Sequence, residues 1–201
     1  MNTFATDSTL WPNARVAELL ISQTALTQLS LNDALTIVRR MHTTRIKQGT
    51  VLVQEGMSSN NMFLILRGEA VVENESLKKS ESLILGVVGK GHIVGEMGLL
   101  DDQPRSATCT AFSEMDVAVL DRTALADLIS MEPATGCKLL AALLHRTSSR
   151  LRATNKKLRV VSQINRALEQ EIGVSSSVTS KPENRPKPPS ASALPDNPLM
   201  F

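Results

Sequence analysis

Apolar and polar positions along this chain follow three successive patterns, and each predicts a different kind of structure. Over residues 15–42 the apolar side chains recur at helical intervals, and the segment Leu31-Asn32-Asp33 offers a capping group before the run ALTIVRRM. We therefore expect N-terminal helices in this part of the chain. Residues 1–14 are expected to form a flexible N-terminus.

From Arg45 to Asp121 the pattern changes to short runs of β-branched and other apolar residues separated by glycine. Such runs at short, regular intervals are typical of antiparallel strands in a sandwich or barrel. The predicted strand segments are RIKQG, TVLVQEG, MFLILRG, EAVVENES, SLILGVVGKG, HIVGEMG, RSATCTAF and DVAVLD. The intervening glycines are predicted turn residues that accept a positive φ, namely Gly49, Gly56, Gly68, Gly89, Gly91, Gly95 and Gly98.

Helical spacing returns after the strands. Thr123 to Ser130 predicts a short helix before Pro133, and residues 134–172 predict a long one. Within the long helix, positions spaced alternately by three and four residues form an a/d heptad pattern over about four heptads, which indicates a coiled coil. These positions, here called the seam, are Leu144, Thr147, Leu151, Thr154, Leu158, Val161, Asn165, Leu168 and Ile172.

The seam predicts a parallel homodimer through residues 140–172. Asn165 falls at an a position, where a single buried Asn favours two parallel helices in register because the two amides can hydrogen-bond each other. The alternative is that one face of the helix packs against its own domain, which fits the first two turns better than the last three. Gly173 predicts the helix end, and residues 173–201, which hold six of the nine prolines, predict a disordered tail. The predicted β domain with its N-terminal helices thus occupies residues 15–133.

The length of 201 residues and the hydrophobic content of 42% fit one globular domain with an appendage. The net charge of +2 does not indicate a general nucleic-acid binder. The distribution of charge is more informative than its sum. Residues 138–172 carry 8 Lys and Arg against 2 Asp and Glu. Such a basic helix face either is solvated or attracts phosphate groups. Its cations are Lys138, Arg146, Arg150, Arg152, Lys156, Lys157, Arg159 and Arg166.

Other residue types exclude several classes of function. Cys109 and Cys137 lack CxxC spacing and the histidines are scattered, so we expect reduced, buried thiols and no metal site. No nucleophile and base, and no metal set, occur at a recognisable spacing, so neither an enzyme nor a cofactor is expected. No run approaches the roughly 20 apolar residues of a membrane helix, and the N-terminus lacks the order of a signal peptide. We therefore expect a cytoplasmic protein with no membrane span.

The segment VGEMGLLDDQPRSATCT, residues 94–110, combines turn residues with two isolated opposite charges, Glu96 and Arg105. Glycine permits the close approach of an anion to backbone N–H groups, Arg can hold a phosphate with two charge-assisted hydrogen bonds, and Ser106 adds a donor. A carboxylate at the same site would instead accept a hydrogen bond from a sugar hydroxyl. The pattern therefore suggests a nucleotide site, and an ordinary Glu96–Arg105 salt bridge is the alternative.

GEMGLLDDQPRSAT closely resembles the phosphate-binding cassette of cyclic nucleotide-binding domains, and RIKQGTVLVQEG and FLILRGEAVV are similar to the first strands of that family. The resemblance runs from about residue 20 to residue 160. It implies a mostly β domain with flanking helices, an antiparallel β-roll that is jelly-roll-like, with N-terminal helices and a long C-terminal dimerisation helix. Within the cassette it implies that Glu96 accepts from the ribose 2′-OH and that Arg105 pairs with the cyclic phosphate. The cassette residues implied to contact the ligand are Gly95, Glu96, Met97, Arg105, Ser106 and Ala107.

The segment SRLRATNKKL is similar to the dimer helix of bacterial catabolite activator proteins. That similarity implies that Thr154 and Asn155 reach the purine from the two subunits. It also implies a sensor domain without the DNA-binding domain of those proteins, so specific DNA recognition is not expected. The function implied is a standalone cAMP receptor that repositions its C-terminal helix toward an unidentified protein partner. The alternatives are the same fold binding cGMP, a cyclic dinucleotide or no ligand, and a regulator that contacts nucleic acid through the basic helix.

Overall fold

A computed structural model describes residues 11–75, 82–101 and 103–171. Two short helices, α1 (Asn13–Leu20) and α2 (Leu31–Val38), precede the strands. The strands are β1 (His42–Ile46), β2 (Val51–Val53), β3 (Asn61–Arg67), β4 (Glu69–Glu75), β5 (Ser82–Gly89), β6 (Ile93–Val94), β7 (Thr108–Ala111) and β8 (Met115–Asp121). The remaining helices are α3 (Glu96–Leu100), between β6 and β7, and then α4 (Arg122–Met131) and α5 (Pro133–Glu171) after β8.

The strands form two antiparallel four-stranded sheets, ordered β1-β8-β3-β6 and β2-β7-β4-β5. One core lies between the sheets and contains Phe63, Val117 and Cys109. A second core lies between the other face of the first sheet and helices α1, α2, α4 and α5. Strands β3 and β8 are therefore covered on both faces, which explains why FLIL and VAVL are unbroken apolar runs rather than alternating ones. The predicted fold class, mostly β with flanking helices, is confirmed.

Three local predictions differ from the structure: the cap of α2, the start of β1 and the backbone of two glycines. The residue that caps α2 is Ser30, whose hydroxyl accepts from the backbone N–H of Asp33, and Asp33 is the second member of the capping box. The capping residue therefore lies just before the segment Leu31-Asn32-Asp33 in which it was predicted. Strand β1 begins at His42, inside the segment predicted as helical, because its pairing with β8 outweighs local preference. Two of the seven predicted turn glycines, Gly89 and Gly98, do not have a positive φ.

Helix α5 begins in one compact unit of the chain, which extends to Arg152, and continues into a second unit from Ala153. In the first unit Leu139 and Leu143 are buried in the helical core. Gly136 is needed there because an added Cβ would lie 3.0 Å from Cα of Ile129. Among the described seam positions, the apolar side chains are exposed in the single chain, and the dimer stays a prediction.

No helix in the described ranges is long and apolar enough to cross a membrane.

Asp116 on β8 is a buried carboxylate that joins three strands and the N-terminal segment. Arg45 Nε donates to its Oδ1 at 2.9 Å, Arg67 Nε donates to Oδ2 at 2.9 Å, and Trp11 Nε1 donates to Oδ2 at 3.3 Å. Burial raises the pKa of Asp116, but the hydrogen bonds from Arg45, Arg67 and Trp11 offset burial and leave the pKa below its ordinary value of 3.8. The charged form is therefore stabilised by folding.

Because the pKa of Asp116 is lowered by folding, its contribution to stability is present above the unfolded value and is lost as pH falls below about 4. Asp116→Asn should lower the free energy of unfolding at neutral pH by about 1–3 kcal/mol, since an amide cannot accept from both arginines. The difference from wild type should shrink in acid. Urea unfolding across pH measures both effects. Glu114→Gln removes an exposed carboxylate beside the same Arg67, and an equal loss from that change would contradict the assignment.

Candidate functional site

A cleft of about 340 Å³ lies beside α3, within the size range of small-molecule sites. Its apolar wall comes from the inner face of the second sheet and from β6. The apolar lining residues are Val53, Val72, Val88, Ile93, Val94 and Cys109. Burial raises the pKa of Cys109 to about 11, so this thiol is protonated and acts as part of the apolar wall. Cys137, in contrast, is exposed, and its predicted burial was wrong.

The turn from β6 into α3 forms one side of the cleft. Gly95 has a left-handed backbone with φ of 80°, and Glu96 is the first residue of α3. An added Cβ on Gly98 would lie 2.6 Å from Nη1 of Arg105 and 2.7 Å from the backbone oxygen of Ser59. The sequence HIVGEMG was predicted as a strand, but only Ile93–Val94 is one. The chain must turn here to place Glu96 beside the guanidinium of Arg105.

Arg105 is buried, with 6% of its surface exposed. Its Nη2 donates to Ser59 Oγ at 2.8 Å and to the Asn61 carbonyl at 2.6 Å, and its Nη1 donates to the Gly95 carbonyl. Its Nε is buried and has no hydrogen-bond partner among the described residues. Burial lowers the pKa of Arg105, while the nearby Glu96 and Asp101 act in the opposite direction. A desolvated cation with an unused donor is chemically suited to an anionic ligand.

Glu96 is almost completely buried at 2% exposure and pairs with a cation from α5. Arg150 Nη1 donates to Glu96 Oε1 at 2.5 Å, although most of the Arg150 side chain is exposed. The Glu96–Arg105 salt bridge that the sequence left open is not among the ion pairs of the described residues. Glu96 therefore faces the cleft with one oxygen held by a residue 54 positions away.

Arg146, one turn before Arg150 on α5, also lines the cleft. It donates to the carbonyl of Thr24, to that of Ala25 at 3.4 Å and to that of Ile93 at 3.2 Å. Burial lowers the pKa of Arg146, Glu96 counteracts that effect and Arg150 adds to it. Arg146 thus ties the loop between α1 and α2 and the strand before Glu96 to α5.

The structure brings six of the eight predicted site residues together in this cleft, namely Gly95, Glu96, Met97, Arg105, Ser106 and Ala107. The backbone carbonyl of Ser106 accepts from Asn74 Nδ2 at 2.9 Å. Thr154 and Asn155 are exposed residues of α5 in the second unit. The ligand-binding roles of all eight remain predictions. No group of three or more metal-ligating side chains occurs in the part of the chain that the structure describes.

The lining residues that were not predicted as site residues include one histidine and two arginines, namely His92, Arg146 and Arg150. His92 Nδ1 lies 3.0 Å from the Gly89 carbonyl, in the turn before β6. The two arginines were assigned to the basic helix face because sequence spacing places them among six other cations. The only sequence signal for them was that density of charge, which does not distinguish a buried cation from a solvated one.

The chain is similar in sequence and fold to known cyclic nucleotide-binding domains. Residues 43–132 match the family model described as "Cyclic nucleotide-binding domain". A solved cyclic nucleotide-binding domain from Methylobacillus flagellatus has 29% identity and a TM-score of 0.63, and the match covers 71% of this chain and 80% of that one.

Two curated relatives are longer proteins. A cAMP-dependent protein kinase regulatory subunit from Yarrowia lipolytica is 36% identical over 77 residues, which are 38% of this chain and 20% of that protein. A CRP-like cAMP-activated global transcriptional regulator from Mycobacterium tuberculosis is 25% identical over 122 residues, which are 61% of this chain and 52% of that protein. This chain thus spans about a fifth and about half of their lengths.

The packing of Arg105 against α3 predicts that position 98 tolerates only glycine. Gly98→Ala should lower the free energy of unfolding by about 1–3 kcal/mol, because the new methyl group meets a backbone oxygen as well as the guanidinium. This loss is the net change, after the gain of roughly 1 kcal/mol that Ala brings to a helix. Denaturant unfolding tests it. Gly86→Ala is the matched control, since an added Cβ there has nothing within 4 Å. Equal stabilities of the two variants would contradict the packing argument.

Proposed function

Residues 43–132 of this chain belong to the cyclic nucleotide-binding domain family, and from this premise we propose that the cleft binds a cyclic nucleotide, with cAMP as the first candidate. Domains of this family are regulatory rather than catalytic, so the proposal is a receptor. The observation that carries it is that one cleft holds a buried carboxylate, Glu96, and a buried guanidinium, Arg105, beside an apolar wall. The names of two relatives, "cAMP-dependent" and "cAMP-activated", support the choice of cAMP.

Arg105 is the proposed phosphate contact. Its guanidinium is held by carbonyl and hydroxyl oxygens of Gly95, Asn61 and Ser59 before any ligand arrives. A side chain that is already ordered loses little conformational freedom on binding. The cyclic phosphate would supply the negative charge that a desolvated cation lacks, in a site where charge-assisted hydrogen bonds are strong.

Glu96 is the proposed ribose contact. A buried carboxylate beside a phosphate site would repel an anion, so its useful role is to accept a hydrogen bond from the 2′-OH. Arg150 holds one of the two Glu96 oxygens and partly neutralises the carboxylate. The ribose hydroxyl would therefore enter a polar pair that is already formed, rather than having to order an isolated charge.

The base would lie against the apolar wall, and by the resemblance Thr154 and Asn155 are the proposed polar contacts to the purine. Ser106 does not decide between cAMP and cGMP, because its hydroxyl can serve the phosphate or meet a guanine amino group. We keep cAMP as the proposal. This proposal would be replaced if the chain bound cGMP or a cyclic dinucleotide instead of cAMP, or if it bound no ligand.

Binding of cAMP by the full chain should be measurable by calorimetry. Arg105→Gln should weaken it by about 100-fold or more, because the positive charge and its charge-assisted hydrogen bonding to the phosphate are lost. Glu96→Gln should weaken it by about 10-fold or more, because an amide is a poorer acceptor for the hydroxyl. Asp101→Asn, which changes an exposed carboxylate of the same cleft, should change affinity little.

The analogue 2′-deoxy-cAMP separates a ribose contact from a general effect of the mutation. If Glu96 accepts from the 2′-OH, then Glu96→Gln should weaken cAMP binding but leave binding of the deoxy analogue nearly unchanged. Equal weakening of both ligands would show that Glu96 does not contact this hydroxyl. Failure of wild type to bind any cyclic nucleotide would reject the proposed function itself.

We further propose that α5 transmits the ligand state to a protein partner. Arg150 and Arg146 both belong to α5, and both face the charge of Glu96. A ribose hydroxyl bound to Glu96 changes the partners available to Arg150, so ligand binding favours one position of α5 over another. The proposed receptor is a parallel homodimer through residues 140–172, because the seam presents apolar side chains to solvent in the single chain.

The dimer can be tested with two glutamates at neighbouring sites. Leu158→Glu, at a seam position exposed by 68%, should convert the dimer into a monomer in analytical ultracentrifugation, because it places two charges inside an apolar contact. Val160→Glu is the matched control, since Val160 is also exposed, by 47%, but lies off the seam. A monomeric wild type, or dissociation by both variants alike, would contradict the seam.

A further inference from the structure

The cations of α5 fall into two groups that differ in their partners. Lys138 contacts Asp33, Arg146 contacts backbone carbonyls, and Arg150 contacts Glu96, all within the first unit. The other cations of α5 are exposed and form no hydrogen bond or ion pair with any residue in the described ranges. They are Arg152, Lys156, Lys157, Arg159 and Arg166.

Four of these five cations share one face of the helix. Arg152, Lys156, Arg159 and Arg166 are separated by four, three and seven residues, so they lie along a row about 21 Å long at 1.5 Å per residue. At about 100° per residue, this basic row points away from the seam positions of the same helix. A protein partner on the seam and an anion on the basic row can therefore bind without excluding each other.

Acidic residues lie only at the end of the basic row, where Glu169 and Glu171 follow Arg166. Residues 133–168 contain no Asp or Glu. Solvated helices usually pair charges of opposite sign at i,i+4, whereas like charges at i,i+3 and i,i+4, such as Arg152, Lys156 and Arg159, destabilise a helix. The row therefore carries an unfavourable repulsion that a polyanion would relieve.

We propose that the basic row binds the phosphate backbone of duplex DNA without reading its sequence. Three of its four cations are Arg, which holds phosphate oxygens in a two-pronged fork. The row contains no apolar or aromatic side chain that would insert into a membrane or anchor a protein interface, so phosphate charge is its matching partner. Backbone contacts position a protein on DNA but carry no sequence information. The proposal does not depend on which nucleotide occupies the cleft.

Counterion release gives this proposal a quantitative test. The full chain should bind a fluorescent DNA duplex of about 30 base pairs and arbitrary sequence at about 50 mM salt. A plot of the logarithm of the association constant against the logarithm of the salt concentration should have a slope of roughly −3 to −4 per chain. The triple variant Arg152→Gln/Arg159→Gln/Arg166→Gln should reduce the steepness of that slope by roughly 3. The corresponding Arg→Lys triple variant should keep the slope, because it keeps the charge.

Lys47→Gln/Lys90→Gln removes two exposed cations outside α5, and DNA binding should be unchanged. Absence of binding by the wild-type chain at about 50 mM salt would overturn the proposal, since the electrostatic contribution is strongest there. The proposal would also be overturned if the Gln triple variant kept the salt dependence of the wild-type chain. It would be overturned as well if the two-lysine control lost as much DNA binding as the triple variant. Binding to phosphatidylserine vesicles without binding to the duplex would assign the row to a membrane surface instead. Calorimetric measurement of cAMP binding by the Gln triple variant separates the test of DNA binding from the test of nucleotide binding in the cleft.

Discussion

Burial of the Arg105 guanidinium is the constraint on which the candidate site depends. A cation removed from water must find oxygen acceptors, and here the acceptors come from two separate segments of the first unit: Ser59 and Asn61 at the start of β3, and Gly95 before α3. The backbone of Arg105 is fixed as well, since its N–H donates to Met57 and its carbonyl accepts from Gly56. Glycine at 95 and 98 lets α3 approach the guanidinium. The turn that carries Glu96 is therefore built around one side chain.

The same physical need explains why α5 belongs to the site. Glu96 is a buried carboxylate, and Arg150 supplies its positive partner from a helix that follows all the strands. Arg146 adds a tie to Ile93, and Lys138 pairs with Asp33 of α2. These contacts make the start of α5 part of the domain core. Farther along, the helix presents exposed apolar and basic side chains, which are the features of a segment that meets other molecules.

The strands could be predicted because the signals for them, short apolar runs bounded by glycines, depend on residues that are neighbours in the sequence. FLIL and VAVL lie in segments predicted as strands, and Glu96 and Arg105 stood out because they are isolated charges among turn residues. Errors occurred where packing outweighed local pattern. His42 joins β1 through its pairing with β8, and Glu96–Leu100 forms a helix because the chain must pass around Arg105. The predicted burial of Cys137 failed because its position on the helix faces solvent.

The sequence by itself determined the order of helices and strands except for α3, together with the cassette, the heptad spacing and the basic character of α5, because each depends on residues close together in the chain. Only the tertiary structure decided which charges meet. Glu96 lies nine positions from Arg105 but pairs with Arg150, 54 positions away. Sequence distance does not set the energy of an ion pair; separation in space and loss of water do. For that reason the eight cations of one helix could be divided into those that pair with groups of the domain and those that do not only when the fold had placed acceptors beside some of them.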